Sequence, residues 1–352
     1  MKSYNEILSD VTKTATKIPQ SDYLDTGKYR IFDQGKEYSV GFSNDKQGVV
    51  SDYPYIIFGD HTRVVKYVNE PCFIGADGVK LLKVINKDFN PRFVYYNILA
   101  KPIENQGYAR HFKFLKEIQF TEKTLSVQTN IVTELDTIQS AIDNKKQQLS
   151  LLDEAVKSRF IEMFGDILAG KYKFETRKLG EISEVGSSHR VFTTEFVEHG
   201  IPFYRGTEIG ELANGKIPQK TYYISEEHYQ RLIAQDSKPQ IGDLLMPSIC
   251  NKGQVWMVDT EEPFYYKDGR VLSISPNREI YNSKYLQYFM REKTLVEYPK
   301  LGSGSTFAEF KIFLLKDIDI LTPPLSLQND FAAFVQQIDK SKFEYTYTGV
   351  AA

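Results

Sequence analysis

The 352-residue chain has only two cysteines and one tryptophan. Cys72 and Cys250 lie far apart and form no Cys-x-x-Cys pair, so they predict free thiols in a reducing compartment rather than a disulfide framework. No apolar run is long enough to cross a membrane, since even the stretch 312–321 is interrupted by charged residues. The first residues lack the apolar segment of a secretory signal, so the sequence predicts a cytoplasmic protein without a membrane partner.

The chain also has little net charge, with 44 Lys and Arg residues against 46 Asp and Glu residues. Composition alone therefore gives no basic footprint of a nucleic-acid-binding protein. Two cysteines and five histidines show no metal-ligand spacing, and dinucleotide-binding, nucleophile-elbow and amino-methyltransferase motifs are missing. Residues 210–216 have the spacing of a phosphate loop, but Ile217 and Pro218 follow where a hydroxyl residue and a helix are needed. The sequence predicts a non-catalytic chain with no cofactor or metal of its own.

One long stretch, 128–165, has no proline and no glycine before its last residue. Its apolar residues recur with the heptad spacing that is typical of coiled coils. They are Ile131, Leu135, Ile138, Ile142, Leu149, Leu152, Val156 and Met163. The pattern predicts a long helix whose apolar seam packs against another helix, and a lone surface helix lying on one domain is the alternative.

The sequence repeats itself after about 200 residues. Residues 125–128 return at 325–328, and the seam returns as Phe331, Val335 and Ile338. Upstream, 71–73 returns at 263–265, and Asn90 and Asn282 each precede an amphipathic stretch. The repeat predicts a duplicated mixed α/β (α+β) unit that is followed each time by a long helix. The predicted limits are 1–124 and 169–324 for the domains, and 125–168 and 325–352 for the helical regions.

The second helical region is predicted to be the shorter one. Its helix should end near Phe343, and residues 344–352 should form an irregular tail because they are rich in β-forming residues. The helix would then cover the first helix only around 152–163. We therefore expect the seam over 131–142 to stay exposed and to bind a partner, either another subunit or the same helix of a second chain.

Several loops combine basic and amide side chains with glycine, a combination suited to contacts with DNA phosphates and base edges. The first-half candidates are Lys28, Arg30, His61, Arg63 and Lys66. The second-half candidates are Arg190, Arg205, Asn251, Lys252, Gln254, Arg270, Ser303 and Ser305. Each of these residues could equally be a solvated surface residue or a turn former, and Arg205 could pair with Glu208 inside its domain.

The second half carries several short motifs in one order. They are Lys-Leu-Gly-Glu-Ile at 178–182, Pro-Phe-Tyr-Arg-Gly-Thr-Glu-Ile at 202–209, Gly-Asp-Leu-Leu at 242–245 followed by Gly253, Gly-Ser-Gly-Ser at 302–305, and Pro-Pro-Leu-Ser-Leu-Gln at 323–328. In the first half, 120–125 lacks the Pro-Pro pair, and 28–33 is the nearest stretch to Tyr-Arg-Gly. In this combination the chain resembles the specificity subunits of type I restriction–modification systems over nearly its whole length, with a C-terminal helix that looks truncated.

The resemblance implies two target-recognition domains that each read half of a split DNA sequence in the major groove. It also implies that the long helices pair as an antiparallel coiled coil and dock the modification subunits. Those partners would methylate adenine with S-adenosylmethionine, and a restriction subunit would cleave DNA with ATP and Mg²⁺. A free-standing DNA-binding or scaffold protein is the alternative.

Overall fold

The computed structural model describes residues 1–75, 78–107, 109–235, 238–302 and 308–347. The chain divides into two compact units, 1–144 and 145–352. The division falls inside the long helix, and the domain limits given above stay a prediction.

The first unit is built from two sheets and the helices that cover them. Its strands are β1 (Leu8–Asp10), β2 (Tyr29–Phe32), β3 (Gly41–Ser43), β4 (Tyr55–Gly59), β5 (Val65–Val68), β6 (Cys72–Ile74) and β7 (Val79–Val84). Its helices are α1 (Tyr4–Ile7), α2 (Pro91–Leu99), α3 (Phe112–Leu115) and the first part of α4 (Leu125–Phe164). One sheet is antiparallel in the order β1-β7-β4-β5, and the other has the order β3-β2-β6.

The second unit contains the rest of α4 and the elements that follow it. Its strands are β8 (Gly165–Asp166), β9 (Lys171–Tyr172), β10 (Thr176–Lys178), β11 (Ser183–Gly186), β12 (Phe196–Val197), β13 (Ile201–Tyr204), β14 (Tyr222–Ile224), β15 (Leu244–Pro247), β16 (Trp256–Met257), β17 (Tyr265–Tyr266), β18 (Val271–Pro276) and β19 (Asp319–Leu321). Its helices are α5 (Leu179–Ile182), α6 (Gly206–Leu212), α7 (Glu226–Ile233), α8 (Ser283–Glu297), α9 (Ile312–Lys316) and α10 (Leu325–Tyr347).

The two units share one topology. The sheet β11-β18-β15-β16 has the strand order of β1-β7-β4-β5. In the other sheet β13 runs parallel to β17, as β2 runs parallel to β6, and the last residue pairs are Tyr204 with Tyr266 and Phe32 with Ile74. The predicted tandem duplication of a mixed α/β unit is therefore confirmed.

A buried glutamine joins the start of α4 to the globular part of the first unit. The Oε1 atom of Gln128 accepts a hydrogen bond from the backbone N–H of Asn90 at 2.8 Å, and Nε2 donates to the carbonyl oxygens of Asp88 and Lys123 at 2.7 and 2.8 Å. Asn90 in turn caps α2, because its side chain accepts hydrogen bonds from the next backbone N–H groups and Pro91 occupies the first helical position. One side chain thus fixes the start of two helices.

The second unit repeats this junction with Gln328 at the start of α10. Gln328 accepts a hydrogen bond from the N–H of Asn282 at 3.0 Å and donates to the carbonyl oxygens of Ile280 and Pro323 at 2.9 and 2.8 Å. Asn282 caps α8 as Asn90 caps α2. Both glutamines are fully buried, so all their polar atoms need partners within the protein.

The first turns of α4 pack on the core of the first unit. Ile131 and Val132 lie against the cluster that contains Phe93 and Ile98 of α2, and Arg92 makes a 2.7 Å ion pair with Asp136. The expectation that the seam is exposed from residue 131 is therefore wrong at Ile131, because the core of the first unit already covers part of it. Further along, Ile138 and Ile142 are 56% and 42% exposed, as expected.

The last turns of α4 follow a different spacing from the predicted seam. Val156, Phe160 and Phe164 are buried in the core of the second unit, whereas Met163 is only partly buried against it. The ring centroids of Phe160 and Phe164 lie 5.3 and 5.6 Å from that of Phe331. The heptad pattern missed both phenylalanines, because this end of the helix packs on a broad aromatic core rather than on a narrow helical seam.

Helix α10 runs antiparallel to the last part of α4. Phe331, near its start, contacts Phe160 and Phe164, while Lys342, near its end, pairs with Asp153, which is earlier in α4. Val335 is buried and Ile338 packs against the same core. This confirms the predicted antiparallel pairing. The helix was predicted to end near Phe343, but it continues to Tyr347, and residues 348–352 lie outside the described part of the chain.

Two further sequence expectations concern thiols and membranes. Cys72 and Cys250 are both free thiols, as predicted, and the structure shows that both are buried. Within the described residues, none of the helices combines the length and the apolar character needed to cross a bilayer.

The glutamine junctions yield a stability prediction. Replacing Gln128 with Leu should lower the free energy of unfolding by about 1–3 kcal/mol, because three buried backbone groups lose their hydrogen-bond partner. Gln328→Leu should do the same in the second unit. Urea unfolding of the full chain, followed by circular dichroism, measures both effects.

The matched control is Gln139→Leu, since Gln139 is an exposed residue of the same helix. This variant should stay within about 0.5 kcal/mol of the parent. If Gln128→Leu is no less stable than Gln139→Leu, the junction does not hold the helix.

Candidate nucleic-acid interface

In the second unit, four of the predicted side chains meet where several strands end: Arg205, Asn251, Gln254 and Arg270. The end of β13, the turn between β15 and β16, and the turn between β17 and β18 surround an open cleft of about 580 Å³. We call it the second-unit cleft. Its polar lining comprises Arg205, Thr207, Ser248, Asn251, Gln254, Lys267 and Arg270.

Arg205 follows β13 and is held by Glu208 one turn into α6. Its Nε and Nη2 atoms donate to the two carboxylate oxygens at 3.1 and 2.8 Å, and its guanidinium lies 4.4 Å from the ring centroid of Tyr222. Burial by itself would raise the pKa of Glu208, but hydrogen bonds from the side chain and backbone of Arg205 outweigh it and hold that pKa below its ordinary value. The structure therefore contains the internal Arg205–Glu208 pair that the sequence analysis gave as an alternative.

Arg270 also lines the cleft and lies directly before β18. Its Nη1 atom donates to Glu309 at 2.7 Å, and its side chain is 61% exposed. Glu309 also contacts Lys311 and accepts a 3.4 Å hydrogen bond from Ser248. The hydrogen bond from Lys311, with a smaller contribution from Arg270, lowers the pKa of Glu309, so this carboxylate is ionised at neutral pH.

The turn between β15 and β16 carries the amide side chains. Asn251 and Lys252 are exposed, and the Oε1 atom of Gln254 accepts a hydrogen bond from the N–H of Lys252 at 2.9 Å. Gly253 has a φ of +66°, and a Cβ there would lie 2.7 Å from the carbonyl oxygen of Arg291. Glycine is therefore required, and it holds the amides in one tight turn.

The remaining second-half candidates lie elsewhere. Arg190 does not line the cleft; it donates to Asp268 at 3.3 Å with its side chain 68% exposed. Ser303 and Ser305 lie outside the described residues.

In the first unit, His61 and Arg63 occupy the turn between β4 and β5, which is the counterpart of the turn that carries Asn251. His61 is exposed, with its backbone N–H donating to Gln34 at 3.2 Å. Arg63 has a φ of +63° and donates to the carbonyl oxygen of Ile103 at 3.1 Å. The duplication therefore brings candidates from both halves to equivalent loops.

The other first-half candidates have structural contacts. Lys66 is buried in β5, and its Nζ atom lies 3.4 Å from Asp33. Burial lowers the pKa of Lys66, although Asp33 opposes the shift. We remove Lys66 from the candidate set because its ammonium group is covered by the protein. Arg30 pairs with Glu70 at 2.9 Å, and Lys28 lies over the ring of Tyr29.

The sheet register also corrects the first-half match to Tyr-Arg-Gly. Phe32 and Tyr204 hold the same position, as the last paired residues of β2 and β13. The residue equivalent to Arg205 is therefore Asp33, not Arg30. The sequence could not reveal this, because the strands of the two halves share no identical residues there.

Lys267, Thr207 and Ser248 are cleft residues that the sequence analysis missed. Lys267 precedes the glycine turn before Arg270, and Ser248 follows the Gly-Asp-Leu-Leu strand. The sequence signal that could have identified these three residues is their position next to, or inside, the short motifs of the second half. In the described part of the chain, no group of His, Cys, Asp or Glu side chains is arranged to hold a metal ion.

A duplicated α/β unit that presents basic and amide side chains at its strand ends defines a nucleic-acid-recognition protein. The family model described as type I restriction modification DNA specificity domain matches residues 171–348, just over half of the chain. The chain belongs to this family, which confirms the resemblance drawn from its sequence.

Individual relatives agree with this assignment. The specificity subunit of the type I restriction enzyme EcoR124I/EcoR124II from Escherichia coli is 26% identical over 243 residues, which cover 62% of this chain. The match spans 58% of that relative, less than two thirds of its length. The crystal structure of the S subunit of a type I restriction-modification system from M. genitalium has the same fold, with a TM-score of 0.61 at 14% identity over 98% of this chain and 90% of that one.

The Arg205–Glu208 pair yields a pH-dependent stability prediction. Glu208→Gln should lower the free energy of unfolding at pH 7 by about 1–2 kcal/mol, less than for a fully buried pair because Arg205 is 39% exposed. A carboxyl whose folded pKa is lowered stabilises the fold above its unfolded pKa of about 4.3 and loses that effect as the pH falls through the folded pKa. The difference between parent and variant should therefore shrink on acidification.

Urea unfolding at several pH values between 7 and 3 measures this difference. Glu198→Gln is the control, because Glu198 is an exposed residue of the same unit. An equal difference at pH 7 and pH 3 would show that the ionised pair does not stabilise the site.

Proposed function

We propose that the chain is the DNA-specificity subunit of a type I restriction–modification system. Each unit reads one half of a bipartite target, and the chain itself neither methylates nor cleaves DNA. The observation that carries this proposal is the duplication: equivalent turns, β4–β5 and β15–β16, present polar and basic side chains in both units. Two copies of one reading surface on one chain suit a target that is read in two parts.

The partners follow from this role. A chain that only selects the site needs modification subunits, which would bind S-adenosylmethionine and methylate adenine. A restriction subunit would supply cleavage with ATP and Mg²⁺. The net charge of −2 agrees with shared DNA binding, because a lone DNA-binding protein usually neutralises many phosphates itself. We place this complex in the cytoplasm, together with the DNA.

The partner surface is proposed to include the exposed part of α4. Ile138 and Ile142 are large apolar side chains on the same side of the helix, four residues apart, and both are exposed. Burying both in an interface would contribute about 25 cal/mol for each Å² removed from water. Either a modification subunit or the same helix of a second chain would cover them.

The function is tested by reconstitution with type I modification subunits from the same organism. The complex should bind one bipartite DNA sequence far more tightly than unrelated DNA, at a stated salt concentration. The isolated chain should transfer no methyl group from S-adenosylmethionine. Sequence-specific binding by the chain alone would favour a free-standing DNA-binding protein, and methyl transfer by the chain alone would refute the proposal.

The apolar part of α4 is tested separately. Light scattering should detect self-association of the isolated chain, and Ile138→Glu with Ile142→Glu should weaken it by at least about tenfold, because two apolar contacts are replaced by charges. The control is Ser140→Glu with Gln147→Glu, two exposed polar positions of the same helix. A parent chain that stays monomeric at high concentration would rule out self-association through this surface.

A further inference from the structure

The turn at Arg270 is tied to its sheet by a backbone hydrogen bond that does not use the arginine side chain. The carbonyl oxygen of Arg270 accepts a 2.9 Å hydrogen bond from the N–H of Ser248, and this bond joins the turn before β18 to the end of β15. In the first unit the corresponding bond runs from the N–H of Asp60 to the carbonyl oxygen of Gly78 at 2.7 Å. The same backbone link thus forms with an arginine in one copy and with no side chain in the other.

The arginine nevertheless has a defined orientation. One of its five N–H groups is bound to Glu309, and the side chain lines the second-unit cleft with 61% of its surface exposed. Glu309 keeps Lys311 and Ser248 as partners, so it does not depend on Arg270 for charge balance. An exposed arginine that is anchored at one nitrogen loses little conformational entropy when it binds a ligand.

Its chemistry favours a base edge over a phosphate. The carboxylate of Glu309 offsets the positive charge of Arg270. This offset weakens the electrostatic attraction of Arg270 to a phosphate more than it weakens the directional hydrogen bonds that its N–H groups can donate. The planar guanidinium keeps N–H donors that fit the O6 and N7 acceptors of guanine in the major groove. Arg205 is less suited to this contact, because its Nε and Nη2 edge is already bound to Glu208.

We propose that Arg270 is a specificity-determining residue that binds the O6 and N7 edge of a guanine in the half-target read by the second unit. The proposal rests on the proposed function, since it needs DNA in the second-unit cleft. Gly78 takes the place of Arg270 in the first unit, so the first unit makes no such contact from this position. The two halves of the target are therefore read with different chemistry from equivalent points of one fold.

The test is a selection from DNA in which both half-targets are randomised, using the full chain assembled with its modification subunits. The parent complex should require a G·C pair at one position of one half. Arg270→Ala should reduce the preference for that pair by roughly 10- to 100-fold, while the other half is selected as before. Arg270→Lys should give an intermediate loss, because lysine keeps the charge but lacks the planar pair of donors.

The control is Arg177→Ala, which removes another exposed arginine of the same unit that pairs with a carboxylate, Glu181, and lies outside the cleft. It should leave both halves of the selected sequence unchanged. The half-target that is still selected normally shows that the Arg270 variants fold and assemble.

Three results would overturn the assignment while leaving the proposed function intact. The first is a selected sequence that has no G·C pair in either half. The second is an unchanged preference in Arg270→Ala. The third is an equal loss of affinity for all sequences in Arg270→Ala, which would indicate a phosphate contact. A parent complex that selects no bipartite sequence would instead contradict the proposed function, and this inference with it.

Discussion

The hydrogen bonds of one buried glutamine hold each long helix to its globular unit. Gln128 and Gln328 each bind the backbone at three points, namely the residue before a helix, its preceding loop, and the segment that leads into the long helix. A buried amide has two donors and two acceptor lone pairs, so few other side chains could satisfy all three groups at once. These hydrogen bonds act together with the apolar contacts of Ile131 in α4 and Phe331 in α10 to set the direction in which each helix leaves its unit.

The strands and the glutamine junctions are repeated in both units, so the loops at the strand ends can differ between the units without a change of the fold. The turns that carry His61 and Asn251 start from equivalent strands, yet one is short and contains an arginine at positive φ, while the other is longer and needs Gly253. Composition could identify Asn251 as a candidate, since amides and glycine stand together in the sequence. It could not identify Lys66 as a buried residue, because burial depends on strand pairing that the local sequence does not record.

The fold was predictable where the signal was periodic or repeated. The absence of proline and the heptad spacing predicted the long helix correctly. The recurrence of 125–128 at 325–328 predicted the duplication. Prediction failed where packing partners change along one element. Val156, Phe160 and Phe164 follow one another at two successive steps of four residues, because a core of sheet and helices lies beneath them. A heptad seam alternates steps of three and four and does not anticipate this change. The helical end at Tyr347 was missed because β propensity depends on context and is a weak guide to the end of a helix.

The hydrogen bond from Ser248 to the carbonyl oxygen of Arg270 has an evolutionary consequence. Because this link uses backbone atoms, a change of the Arg270 side chain alters the surface and leaves the link in place. Selection can then act on what the loop recognises, separately from whether the chain folds. The duplication places two such turns on one chain, so a change in one turn leaves the surface of the other as it was.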